Sequence, residues 1–258
     1  MKQVLVIANL FPPIGGGGVQ RTLKFVKYLP GYGWHPFVIT SKANNRRVID
    51  HSLAAEIPEE VIVHRTNALG LPGVLPWRLR NIIARWMLFP DEHAGWIPFA
   101  LKTGQNIFNN APIQAVYSTS PPVSNHLIAK KLVETYSLPW IADFRDPYIG
   151  NIMPRFPTQY HRAAAERLER AIVQRSALVL TVGAPMQNML QCRYTESPRE
   201  KFISLPNGYD PDDFLNGLDV KLRTNSFNIV YTGTFYSSYI TPDKFLSSLR
   251  NAIHIGDL

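Results

Sequence analysis

The chain has 258 residues, 45% of them hydrophobic and 18% charged, a globular composition that argues against a disordered or low-complexity protein. Its net charge of +8 is uneven, with 12 Lys/Arg against 6 Asp/Glu in residues 1–110, so that half favours phosphates, anionic lipid or nucleic acid as partners. The single cysteine, Cys192, excludes an intrachain disulfide and a Cys-based zinc site and fits a reducing cytoplasm.

Short β-branched runs alternate with helical patterns along the chain. Strands are expected at Val4–Ala8, Phe37–Thr40, Val61–His64, Ala115–Ser118, Trp140–Asp143, Leu178–Val182 and Phe202–Leu205. Most are continuous apolar runs, the pattern of strands covered on both faces. Helices are expected at about Val19–Leu29, Trp77–Phe89, Ile97–Asn109, Val123–Ser137 and Thr158–Arg175. This alternation predicts an α/β fold with a doubly wound, Rossmann-like parallel sheet, whose ligands bind beyond the carboxyl ends of the strands. The turn-rich "PNGYDPDD" at Pro206–Asp213 reads as a boundary. Beyond it, "NIVYTGTFY" (Asn228–Tyr236) reads as a new strand running into a Gly turn, and Pro242–Ile255 as a helix. The expected domains are therefore 1–217, complete, and 218–258, the opening of a second. The apolar run after Met1–Lys2 is too short for a secretory leader, and no stretch reaches the ~18 apolar residues a membrane span needs.

"FPPIGGGGVQRTLKFVKYL" (Phe11–Leu29) sets four consecutive glycines between a strand and a basic helix. A Walker loop would need Gly-Lys-Ser/Thr, but Gly18 is followed by Val19-Gln20-Arg21; the dinucleotide pattern G-x-G-x-x-G fails at Gln20 or Arg21. Two readings stand: a flexible loop, or a strand-to-helix turn whose backbone N–H groups at Gly15, Gly16, Gly17 and Gly18 hold an anion with help from Arg21.

Other constellations follow strands. "ADFRDP" puts Asp143, Arg145 and Asp146 at a strand end, either as catalytic groups or as a network bracing the turn before Pro147. Arg145 can hold phosphate but cannot act as a base. "STSPPVSNHL" offers the hydroxyls of Ser118, Thr119 and Ser120 at another strand end, with His126 on the following helix. Asp91, Glu92 and His93 are adjacent, so a regular element points them in different directions and no metal site is expected. In "PWRLRNIIARWMLF" (Pro76–Phe89), Leu79, Ile82, Ile83 and Trp86 share one face, flanked by Arg78, Arg80 and Arg85. That suits an anionic membrane interface, or a helix packed on the sheet. The basic residues form no recognised nucleic-acid motif, and no nucleic acid is expected as partner.

In combination, "FPPIGGGGVQRTLKFVKYLPGYGWHPFVIT", "PDEHAGW", "STSPPVSNHLIA", "LPWIADFRDPY" and "LPNGYDPDDF" resemble the N-terminal domain of a family 4 glycosyltransferase of the GT-B fold. The resemblance covers essentially the whole chain. It implies transfer of a sugar from a nucleotide-sugar donor to a glycan or lipid-linked acceptor, retaining and free of metal and cofactor. The implied setting is surface polysaccharide or glycolipid assembly, in the cytoplasm or on the inner face of its membrane. It places the glycine loop against the donor diphosphate, Gly233 and Thr234 in the first glycine turn of the donor domain, and Thr119, Ser120 and His126 near the sugar. Many members carry histidine where Arg145 stands. The family's remaining donor-binding groups would lie beyond Leu258, so this chain alone is expected to be inactive. The rival reading is a non-catalytic module that binds a membrane or a partner, a remnant or half of a split enzyme.

Overall fold

The structure is a computed structural model that describes residues 1–43, 48–71, 75–151, 156–215, 227–233, 235 and 240–255. Seven parallel strands form one sheet: β1 (Lys2–Ile7), β2 (Trp34–Ser41), β3 (Ile62–Thr66), β4 (Ile113–Ser120), β5 (Trp140–Phe144), β6 (Leu178–Thr181) and β7 (Phe202–Ser204). Their order is β3-β2-β1-β4-β5-β6-β7, so the direction of winding reverses between β1 and β4. All seven expected strands are present, with ends shifted by a few residues. Pro36, which has no N–H to give, sits opposite Val4 just before β2 begins to pair with β3.

The helices are α1 (Gly17–Tyr28), α2 (His51–Ala55), α3 (Trp77–Met87), α4 (Ile97–Asn110), α5 (Ser124–Tyr136), α6 (Gln159–Arg175), α7 (Ala184–Arg193) and α8 (Asp243–Ile255). Alternation along β1 sends Leu5 and Ile7 to one face, where they join Ile128, Leu132, Trp140 and Ile172. Val4 and Val6 go to the other, with Val26 of α1 and Tyr117. Both faces of the central strands are dry, which is why those strands read as unbroken apolar runs. Gly104 of α4 exists for this packing: a Cβ there would stand 2.6 Å from Leu132 Cδ1 of α5.

Two elements escaped the sequence pattern, α2 and α7. α7 buries only Met186 and Leu190, too few to set a helical period, although Gly183 and Pro185 mark its start. A third difference lies near the end of the chain. The strand expected in Asn228–Tyr236 is absent from the described residues 227–233. Gly233 is exposed in that stretch; Thr234 and Gly217 lie outside the described residues.

Contacts divide the chain into two units, Met1–Asp210 and Pro211–Leu258. The first holds the whole sheet. In the second, α8 forms as expected and buries none of its residues. Among the described residues no helix is long and apolar enough to cross a membrane.

Candidate functional site

The reversal between β1 and β4 opens the sheet at its carboxyl edge, and the glycine loop closes over that point. The first half of the loop is braced. Ile14 bridges Ile49, Gly15 N–H donates to Val48 O at 2.8 Å, and Asp50 N–H donates to Pro13 O at 2.8 Å. The four glycines then have separate reasons. A Cβ on Gly15 would sit 3.1 Å from Asp50 Cβ, and one on Gly18 would sit 3.2 Å from Leu10 Cδ1 and 3.4 Å from Arg145 Nη1. Gly16 has φ 102°, a conformation that favours glycine. Gly17 has neither constraint, because nothing lies within 4 Å of where its Cβ would be. No group of the described protein accounts for that glycine.

α1 starts at Gly17 without a side-chain cap and without an acidic residue in its first turn. Its leading N–H groups and the positive end of its dipole are therefore uncompensated by any carboxylate of the helix itself. Arg145 stands beside them. Its guanidinium donates to the carbonyls of Gly18, Pro121 (2.6 Å) and Ser120 (3.4 Å), holding the cation in place through neutral acceptors. Burial, partly offset by Tyr117, Asp143 and Asp146, pulls its pKa below the usual arginine value. Asp146, the next residue, is exposed.

Two residues assigned to the site by sequence occupy each other instead. Arg21 donates to Asp143 through Nε and Nη2, both at 3.0 Å. Asp143 is 0% exposed and also accepts from Tyr117 OH at 2.6 Å and Thr119 Oγ1 at 3.0 Å. A carboxylate sealed from solvent and ringed by four donors offers a substrate proton no approach in this arrangement, which fits the bracing network, the other reading of the sequence. Arg21, buried with it, turns its remaining nitrogen Nη1 to Pro206 O and Asn207 Oδ1 rather than to the loop. Tyr117 belongs to this node, and burial, then Asp143, raises its pKa well above the usual tyrosine value.

The residues expected at the sugar are likewise inside. Thr119 and Ser120 are 2% and 1% exposed, and the Ser120 hydroxyl has no partner among the described residues. His126 is fully buried under β4 on α5, its Nδ1 2.7 Å from Ser118 Oγ and its ring against Phe144. Burial, helped by the Arg145 cation, lowers its pKa to about 3. The unfolded chain takes up this proton near pH 6.5 while the folded one refuses it until about pH 3, so stability falls as pH drops through that window. Between pH 7 and pH 4.5 the loss is about 2–3 kcal/mol, read as a shift in urea midpoint. His126→Gln is expected to flatten that part of the slope, and an unchanged slope would assign it to other groups.

Three further polar residues hold the fold around the site, two of which, Asn125 and Glu169, sequence reasoning passed over. Asn125 ties the switch point together, accepting from Asn9 N–H at 3.1 Å and donating to Thr119 O at 2.6 Å. Asp91 accepts from Ser124 N–H at 2.8 Å and from its hydroxyl at 2.7 Å, so it fastens the start of α5. Glu169 is buried in α6, where Ile149 N–H, Arg193 and Tyr194 all donate to it. Its signal was a lone acid beside Leu168 and Ile172 on the apolar face of α6.

α3 buries none of its residues. Trp77, Leu79, Ile82, Trp86 and Met87 are all exposed, with Arg78 stacked over Trp77 at 5.6 Å. Trp86 stands edge-on to His161 of α6, at 6.0 Å between centroids. The reading of this segment as a helix packed on the sheet is thereby set aside.

No family model matches this sequence, and no curated protein matches it. Solved structures do match in shape. Sucrose-phosphate synthase from Thermosynechococcus elongatus superposes with a TM-score of 0.54 at 13% identity, over 81% of this chain and 49% of that one. UGT2 from Phytolacca americana, complexed with UDP-2-fluoro-glucose and pterostilbene, superposes with a TM-score of 0.53 at 10% identity, over 83% and 56%. The chain thus spans about half the length of the structures it matches. At such identities the likeness is one of fold: the chain carries a Rossmann-like α/β sheet of the kind found in GT-B glycosyltransferases.

Proposed function

We propose that this chain is the acceptor-side, N-terminal part of a GT-B glycosyltransferase that moves a sugar from a nucleoside diphosphate to a hydroxyl of a glycan or lipid-linked acceptor. The observation that carries the reading is the uncapped start of α1 at Gly17, open to solvent, with the Arg145 guanidinium beside it on carbonyl supports alone. Charge develops on the diphosphate as the sugar departs, and fixed N–H dipoles with a held cation stabilise it without reorganising. Asp146, the exposed carboxylate of the same turn, would orient the incoming hydroxyl or accept its proton. Gly233 and Thr234 would belong to a second, donor-binding domain. The retaining course, independence of metal, and a role in surface polysaccharide or glycolipid assembly come from the family resemblance. The test is titration of the 258-residue chain with inorganic pyrophosphate, followed by the amide signals of Gly17 and Gly18. Millimolar binding is expected, lost in Arg145→Gln; wild type without binding would remove the reading.

The exposed face of α3 supports a second element, attachment to the inner face of the cytoplasmic membrane. Trp77 and Trp86 suit the interface, and Arg78, Arg80 and Arg85 contribute about 1 kcal/mol each near an anionic surface, with no acid in the helix to oppose them. Vesicles containing a third phosphatidylglycerol should pull down the chain at low salt. The triple Gln variant at those arginines should stay in the supernatant. A wild type that also stays there would refute attachment through α3.

A further inference from the structure

The segment Pro206–Asp210 is neither helix nor strand, yet it is held firmly to α1. Arg21 Nη1 donates to Pro206 O at 3.1 Å and to Asn207 Oδ1 at 3.2 Å. One and two turns further along the same helix face, Lys24 and Lys27 pair with Asp210 Oδ2 at 2.9 and 2.7 Å, and Tyr28 OH donates to Asp210 Oδ1 at 2.7 Å. Asp210, the last residue of the first unit, is 3% exposed under this clasp. The basic stripe of α1, which the sequence offered to phosphates, is instead largely engaged inside the unit. Arg21 is the member that faces two ways. Its other two nitrogens hold Asp143, two residues before Arg145 on the same strand end.

We propose that Arg21 is a positioning residue that couples the Pro206–Asp210 strap to the anion site at the glycine loop. With the strap seated, the guanidinium is fixed from both sides, and it fixes in turn the start of α1 against the end of β5. The Gly17 amide and the Arg145 cation then stand in register for one anion. With the strap released, Arg21 is anchored at Asp143 alone and the start of α1 is freer to shift. Occupancy of the loop and seating of the strap therefore favour each other. The inference rests on the anion site proposed above.

Coupling of this kind is reciprocal, so one factor must appear in two measurements. In the 258-residue chain, inorganic pyrophosphate is titrated against the Gly17 and Gly18 amides, and hydrogen exchange is followed at the amides of Asn207, Gly208 and Tyr209. In the wild type, saturating pyrophosphate is expected to slow exchange across the strap by about 5-fold or more. Asp210→Asn, which weakens the clasp, should weaken pyrophosphate binding by up to the same factor. Asn207→Ala leaves the Arg21–Asp143 pair untouched, so it keeps the fold should Asp210→Asn lose it, and it should lower both effects together. Arg21→Lys keeps a positive charge opposite Asp143 but lacks the fork that reaches both sides, and should act like Asn207→Ala. Variants that bind pyrophosphate as the wild type does, or strap exchange indifferent to pyrophosphate, would overturn the coupling and leave the anion site standing. A wild type that binds no pyrophosphate would remove the site and the coupling with it.

Discussion

If the proposed function holds, Gly17→Val, made in a chain that also carries a donor-binding domain, is expected to lower turnover of a nucleotide-sugar by roughly two to three orders of magnitude, the size of losing one preorganised anion donor. The melt should move little. Nothing lies within 4 Å of the Cβ position at Gly17, so the new side chain meets no protein atom there. Valine is also a slightly better helix former than glycine, by a few tenths of a kcal/mol in propensity. The isopropyl group would instead occupy the space over the leading amides of α1. Gly16 is a poorer probe, because at φ 102° any side chain adds backbone strain and mixes folding with function. Steady-state kinetics across a panel of nucleoside diphosphate sugars, with a thermal melt of each variant, separates the two. Near-normal turnover in Gly17→Val would reduce the glycines to chain geometry; activity lost together with the melt would assign them to the fold.

Asp143→Ala is expected to show the reverse profile. It leaves Arg21 as an uncompensated cation, 8% exposed, and takes the acceptor from Tyr117 and Thr119. Breaking a buried ion pair from one side costs about 3–5 kcal/mol, and the two orphaned hydroxyls add to that. For a unit of this size the melting temperature should fall by about 10 °C or more. Asp143→Asn should lose less, since one amide oxygen still accepts. If Asp143→Ala melted like the wild type while a two-domain enzyme lost its activity, the carboxylate would be catalytic and the closed node described here would be wrong.

The sequence carried the sheet because its cause is local. Val4–Ile7 and Val116 sit in strands dry on both faces, and such strands need unbroken apolar runs. The glycine loop stood out as a candidate for the same reason, four residues in a row with no side chain. Which glycine is left clear of neighbours was not legible, because that depends on Asp50, Leu10 and Arg145, all brought there by folding. Asp143 shows the limit most clearly. A carboxylate at a strand end reads alike whether it faces a cleft or an arginine 122 positions away. His126 failed similarly, since a helix shows its period but not how deep one residue lies. α3 shows another limit: an amphipathic stripe has one signature whether it packs on a sheet or stays exposed. Short α7 had too few apolar residues to sign itself at all.

Pyrophosphate titration of the 258-residue chain tests most directly whether the start of α1 and Arg145 hold a diphosphate. Signals of the Gly17 and Gly18 amides and of the Arg145 Nε–H should move together, with one millimolar dissociation constant, while Arg21 Nε–H, locked on Asp143, should stay still. Shifts centred on Arg21, Lys24 and Lys27 with the glycine amides unmoved would contradict the account, placing the anion on the basic face of α1 instead.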